Sequence, residues 1–451
     1  MKKAQLIKQK LIQMAELTTS HALPNIVRTD KPIIKLMWTL FLIVACAACT
    51  KYVISSFEEY FRFDTNSKIQ IKTNSSLLFP TITLCSSIFT QKQKGFDLLM
   101  QHLSKENNYK VNFTNMENVR TFYGNNLNKL YDDADILIQS LASDQYSDEF
   151  KRSLFYNESE FFIECSFNFK NCTNIEWFYD ILHGSCYRIN GPDLNENERF
   201  YQIEGGKFFG LRLTVFGGMF FDRVRTMDIF KGYGIYLGID DQNSVPIVND
   251  NLLNVATGYC TNVNLKKIVS KNLPDPYSNC VDASNYKSVF HKQFERYNRT
   301  YTQKTCILFC KQKFINQECN CSSNFFPTLN LNLSICNKKS EMKCAEEKFL
   351  KFDLNKNCLD LNWCPAQCES TSYETYFSMQ KFPNPTFGFD QLKTNEIIKE
   401  HFNHTPITYD LLSSSLACLN VYFSDISYTS IEEVPSRQMF DLISNVGVSE
   451  I

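Results

Sequence analysis

The stretch CILFCKQKFINQECNC places Cys306, Cys310, Cys319 and Cys321 within sixteen positions. Two chemistries are open to such a set. Four thiolates converging on a point hold zinc. The same residues, oxidised, are half-cystines. Cys306 and Cys310 stand at i, i+4, one face of a helix that Phe314 and Gln317 continue. A later segment supplies Cys358, Cys364 and Cys368. If it runs antiparallel to the helix, early cysteines meet late ones as nested bridges. Two cysteines a turn apart, facing two more on a neighbouring segment, build a ladder more naturally than a tetrahedron. The reading is therefore disulfides and no metal.

That chemistry needs an oxidising compartment, and the rest of the chain supplies one. Residues 36–57 read LMWTLFLIVACAACTKYVISSF, and within 36–50 only two threonines are polar. With Lys51 free to snorkel, the run reaches the length that crosses a bilayer. Ahead of it stand Lys2, Lys3, Lys8, Lys10, Arg28, Lys31 and Lys35 against Glu16 and Asp30. The positive-inside rule keeps this tail in the cytoplasm and puts the chain after Phe57 outside. Eight N-x-Ser/Thr sequons lie downstream of the run and none upstream: Asn74, Asn112, Asn157, Asn171, Asn298, Asn320, Asn332 and Asn403. Of 18 cysteines, Cys46 and Cys49 fall in the apolar run and the other sixteen follow it, enough for eight bridges.

The chain has 451 residues, room for a large core or several domains. A formal charge of −1 offers nothing to nucleic acid. Segments such as KIQIK, TITLC, FFIECSFNF and FGLRLTVF alternate like strands. Residues around 114–145, 287–318 and 390–401 read as helices. The fold class expected is α+β. Ile7, Leu11 and Met14 share one helical face in the tail, a stripe for a partner or lipid.

A tail, one anchor and a glycosylated exterior also describe a type II membrane enzyme or an extracellular binding protein. No His-Glu-x-x-His or Gly-x-Ser-x-Gly occurs, and GYGIYLG has the wrong spacing for a dinucleotide loop. Asp133-Ala-Asp135 resembles a sugar-nucleotide transferase motif, but YDDAD reads more simply as an acidic helix surface. No catalytic residue and no cofactor is assigned.

The order of HALPNIVRT, the apolar run, LLFPTITLC, GSCYRIN, TGYC, NLPDPYSNC, the cysteine-dense helix, WCPAQC and YTSIEEVP resembles the epithelial sodium channel/degenerin family, over about residues 20–447. The resemblance implies a membrane protein with a clenched-hand ectodomain of palm sheet, β-ball, finger, knuckle and thumb. The expected divisions are a cytoplasmic tail (1–34), first membrane helix (35–57), extracellular domain (58–436, Cys-rich thumb 280–368) and a lead-in to a second membrane helix (437–451). Carried over by position, the bridges are Cys85–Cys186, Cys165–Cys172, Cys280–Cys368, Cys306–Cys364, Cys310–Cys358, Cys319–Cys344 and Cys321–Cys336. Cys260 and Cys418 are left over in segments that would be palm strands, and an eighth bridge between them is expected.

The family further implies a plasma-membrane homo- or heterotrimer in contact with lipid, a sodium-selective amiloride-blockable pore, and gating by an extracellular ligand, protons or a peptide. His21 matches the His of a cytoplasmic His-Gly gating motif, with Ala22 where the motif has Gly. Tyr60 and Tyr277 match an aromatic contact between the first membrane helix and the base of the thumb. Beyond Asn445-Val446-Gly447 the relatives continue into a pore-lining helix, whereas the sequence stops at Ile451. On that resemblance the chain alone is expected not to conduct.

Overall fold

The computed structural model describes the chain except at residues 1, 19–21, 87–91, 109–115, 125, 127–128, 131–132, 135–136, 138–140, 142–145, 181–182, 218–233, 244, 246–251, 324, 330–332, 337, 360–361, 403–405, 441–443 and 445–451. It divides into two compact units. One comprises Met1–Lys68, Asp275–Ser278 and Glu433–Ile451; the other comprises Ile69–Pro274 and Asn279–Glu432.

The first unit is built on three helices, α1 (Lys2–Leu17), α2 (Ala22–Arg28) and α3 (Pro32–Phe61). Pro32 opens α3, where its missing N–H costs no helical bond. Thirty residues at about 1.5 Å each make a rod of about 45 Å. Its apolar window has a mean hydropathy of 2.1 and no buried residue. A helix apolar all round and uncovered by protein suits lipid, not water. Thr39 and Thr50 donate their hydroxyls to the carbonyls of Lys35 and Cys46, both at 2.8 Å, so neither polar group is left unpaired in the rod.

The second unit is α+β, as its alternating segments predict. Its strands are β1 (Thr65–Thr73, shared with the first unit), β2 (Leu77–Leu78), β3 (Thr81–Ser86), β4 (Phe162–Phe167), β5 (Lys170–Asn171), β6 (Glu176–Asp180), β7 (Gly184–Ile189), β8 (Tyr201–Gln202), β9 (Leu211–Phe216), β10 (Ile235–Asp240), β11 (Leu253–Val255), β12 (Tyr259–Lys271), β13 (Glu369–Lys381) and β14 (Leu416–Pro435). A seven-stranded sheet has the order β13-β12-β14-β9-β4-β5, with β1 also on β14; a five-stranded sheet has the order β11-β10-β3-β7-β6. Strand residues two apart face one way. Leu211, Leu213 and Val215 of β9 and Leu419, Val421 and Phe423 of β14 thus share one core with Ile82, Leu84, Tyr187, Ile189, Ile235 and Leu237 of the smaller sheet.

Within GYGIYLG, residues 235–238 belong to strand β10 and not to a phosphate loop. Gly234 at its start has φ +149°, and a Cβ there would lie 2.4 Å from the Val255 carbonyl. The helix read over 287–318 is broken in two, His291–Arg296 and Gln303–Cys319. Asn298 turns left-handed at φ 49°, and the Thr302 hydroxyl caps the second helix by accepting from the Thr305 N–H. Helices α4 (Gln93–Glu106) and α5 (Met116–Tyr123) bury a separate apolar cluster around Leu103, Val119 and Leu137. Asp133 lies inside that cluster, correcting the surface reading of YDDAD. It is 6% exposed and accepts the Tyr123 hydroxyl at 2.8 Å. A buried carboxylate needs such a donor, and Tyr123 supplies it. Asp135 lies outside the described residues.

Candidate coupling junction

All sixteen downstream cysteines are bonded. Five bridges clasp the region after β12: Cys280–Cys368, Cys306–Cys364, Cys310–Cys358, Cys319–Cys344 and Cys321–Cys336. Helix Gln303–Cys319 supplies Cys306, Cys310 and Cys319. Cys306, Cys310, Cys358 and Cys364 pack with Phe290, Phe294, Tyr301 and Phe309 into one cluster. Those two rungs are therefore also part of a hydrophobic core, and five bridges cross-link the segment. Cys85–Cys186 joins directly paired positions of β3 and β7, Cys260–Cys418 does the same for β12 and β14, and Cys165–Cys172 closes the turn between β4 and β5. Among the described residues no cluster of His, Cys, Asp and Glu is arranged to hold a metal.

The sequon residues Asn74, Asn157, Asn171, Asn298 and Asn320 are exposed; Asn112, Asn332 and Asn403 lie outside the described residues. Asn320 caps helix Gln303–Cys319 in the left-handed conformation, φ 53°. Cys46 and Cys49 are free thiols on α3.

In the first unit, α3 ends in a run of rings. Phe57 stacks on Phe61 with centroids 6.3 Å apart, and Tyr60 meets Phe61 edge-on at 5.3 Å. Past the helix, Phe63 adopts φ 53°. A bulky residue pays for left-handed backbone, and such outliers persist where their surroundings over-determine them. Here the turn sets the Phe63 ring among Tyr60 at 6.2 Å, Phe61 at 6.2 Å and Tyr277 at 5.5 Å, the last two edge-on. The Tyr277 ring thus packs on Phe63, and Tyr60 is reached through Phe63. Sequence reasoning named both tyrosines and missed the ring between them. The signal was present in FEEYFRF, whose last aromatic falls one turn beyond Tyr60.

The returning chain closes the same unit. Arg437 donates from Nη2 and Nε to Glu59 Oε2 at 2.8 and 3.1 Å, and the Ser436 N–H donates to the Asp64 carbonyl at 2.8 Å. Both charges are about half exposed, so this pair fixes geometry more than it adds stability. In the second unit, the Lys72 ammonium donates to Glu432 Oε1 at 2.6 Å across β1 and β14. Their hydrogen bond raises the lysine pKa and lowers that of the glutamate.

His21 lies outside the described residues. Ala22 is the first residue of α2, and a right-handed helix costs alanine nothing.

The model of a family described as amiloride-sensitive sodium channel matches residues 14–448. Degenerin unc-8 of Caenorhabditis elegans is 25% identical over 313 residues, 66% of this chain and 37% of that protein. Epithelial sodium channel subunit alpha of Neoceratodus forsteri is 27% identical over 301 residues, 64% of this chain and 42% of that protein. The FMRFamide-activated amiloride-sensitive sodium channel of Cornu aspersum is 22% identical over 534 residues, 97% of this chain and 79% of that protein. The matches thus span less than half of the first two relatives and most of the third. With a family match running through the tail, α3, both sheets and the cysteine ladder, the chain belongs to the amiloride-sensitive sodium channel family.

Proposed function

We propose that the chain is a subunit of a trimeric, sodium-selective, amiloride-blockable channel of the plasma membrane, opened by an extracellular stimulus acting on the ectodomain. The observation that carries this reading is the family match across residues 14–448. The tail before α3 is cytoplasmic and the disulfide-bonded unit extracellular, as the lysine bias and the one-sided sequons favour.

Gating follows from rigidity and one flexible joint. The ladder from Cys280 onward moves as a body, because five bridges and a shared core leave it few internal degrees of freedom. Tyr277 lies just ahead of Cys280 in the chain and touches Phe63, which follows α3. A displacement of Tyr277 is passed to Phe63 and then to Tyr60, and so tilts α3. An edge-on aromatic pair is worth about 0.5–1.5 kcal/mol, and about 1.4 kcal/mol shifts a two-state equilibrium tenfold. The contact is therefore strong enough to bias opening and weak enough to be remade.

The test is electrical. The full-length product of the gene is expressed in oocytes, and acid, amidated peptides and amiloride are applied in turn. An inward current that amiloride blocks and sodium replacement abolishes is expected. Surface-delivered protein with no such current, alone or beside a related subunit, would refute the reading.

A further inference from the structure

The second unit contains a cavity of about 590 Å³ whose walls come from strand β10 with Asp241 and Asn243 just after it, Leu252 and Leu253 at the start of β11, edge strand β13, and the start of helix Gln303–Cys319. Its volume is in the range, roughly 300–1,000 Å³, that takes small-molecule ligands. Leu252 and Leu253 give it an apolar side. Two adjacent carboxylates, Asp240 and Asp241, stand on the opposite chemistry.

The two acids differ. Asp240 accepts the Lys304 ammonium at 2.8 Å and is neutralised by it. Asn243 and Thr300 add a reciprocal pair of hydrogen bonds at the same rim, both 3.0 Å. Asp241 has no ion pair among the described residues. Its carboxylate accepts the backbone N–H groups of Gln242 and Asn243, while Lys267 acts on it only at a distance. Asp241 opens to the cavity, yet enclosure by surrounding protein raises its carboxyl pKa. The Tyr373 hydroxyl on the facing wall, from β13, has no hydrogen-bond partner among the described residues. One unpaired anion, one free hydroxyl and an apolar side are the complement of a small molecule with an ammonium at one end and a hydrocarbon body.

We infer that this cavity is an effector site for a small amphipathic organic amine, its ammonium on Asp241 and the Tyr373 hydroxyl and its apolar body against Leu252 and Leu253. The inference rests on the channel reading for its consequence. A ligand bridging β10, β13 and the helix start would hold the Lys304–Asp240 rim closed and favour one arrangement of the ladder.

The experiment is calorimetric titration of the detergent-solubilised chain, which reads binding without reading current. The probes are phenethylamine, its neutral isostere phenethyl alcohol, and phenylacetate. Saturable phenethylamine binding is expected, with the alcohol at least about tenfold weaker and the acid weaker still. Asp241→Asn is expected to remove the preference for the amine over the alcohol. Leu252→Trp, which fills the cavity, is expected to abolish binding of both. Equal affinity for amine and acid in the unmodified chain, no saturable binding up to about 10 mM, or an undiminished preference in Asp241→Asn would each overturn the site. The unmodified chain decides by itself should either variant misfold. An amiloride-blockable current from a chain that binds none of the probes would sink the site and leave the channel reading standing.

Discussion

Removing the Cys260–Cys418 bridge should destabilise the second unit more than removing a rung of the ladder. A disulfide acts mainly by closing a loop in the unfolded chain. Cys260 and Cys418 are 158 residues apart, but Cys280–Cys368 already shortens that loop. What remains, from Cys260 to Cys280 and from Cys368 to Cys418, is about 70 residues, worth about 4.4 kcal/mol. Cys306–Cys364 spans 58 residues, but Cys280–Cys368 and Cys310–Cys358 hold the chain on either side. It only divides a loop of about 40 residues into about 30 and about 10, worth about 2.4 kcal/mol. The rung cysteines are 0% and 1% exposed, so losing their sulfurs narrows the gap by about 1 kcal/mol. The paired variants are Cys260→Ala with Cys418→Ala, and Cys306→Ala with Cys364→Ala. Guanidinium unfolding of the detergent-solubilised chain, followed by Trp177 fluorescence in a shared Trp38→Phe, Trp363→Phe background, gives both values. Trp177 reports because it packs on the main core and donates to the Ser185 hydroxyl at 2.9 Å. A rung that costs as much as Cys260–Cys418 would show that nesting does not share the loop entropy.

Three further outcomes are expected. Glycosidase treatment of membrane-expressed protein should lower its apparent mass; no shift in protein that has entered the secretory pathway would reverse the orientation. His401 stacks face-on against Phe216 at 3.8 Å and hydrogen-bonds the Glu160 carbonyl at 2.7 Å. Burial lowers its pKa from the usual 6.5, so its contribution is present above that value and is lost as pH falls through the lowered one. His401→Phe keeps the stack without the titration, and its melting temperature should fall less than that of the parent between pH 7 and pH 5; an identical fall would clear His401. Finally, Tyr277→Trp should preserve gating, since it keeps an aromatic edge on Phe63; loss of current at normal surface density would contradict this.

Much of the architecture was legible because its signals are local. The apolar run announced α3, period-two alternation announced β3 and β9, and the i, i+4 spacing of Cys306 and Cys310 announced a helix with half-cystines on one face. Long-range pairing was not local. β13, ESTSYETYFSMQK, is a polar edge strand whose partner β12 lies about a hundred residues earlier, and no alternation marks it. The helix break at Asn298 was readable from RYNRTYT, where an Asn able to turn left-handed precedes a Thr able to cap. The left-handed turn at Phe63 was not readable: nothing in the sequence says that a phenylalanine will accept φ 53°, because only tertiary contacts over-determine it. The unequal roles of Asp240 and Asp241 depend on Lys304, more than sixty residues away.

The central claim is that ectodomain motion reaches the membrane helix through Phe63. The measurement that tests it most directly records amiloride-blockable sodium current from the assembled channel carrying Phe63→Ala, beside the parent, with surface biotinylation of both. The account predicts equal surface density and a stimulus-evoked current reduced about tenfold, since the ring joins Tyr277 to Tyr60 and its loss removes about 1.4 kcal/mol of coupling. A Phe63→Ala channel that opens as readily as the parent would contradict it.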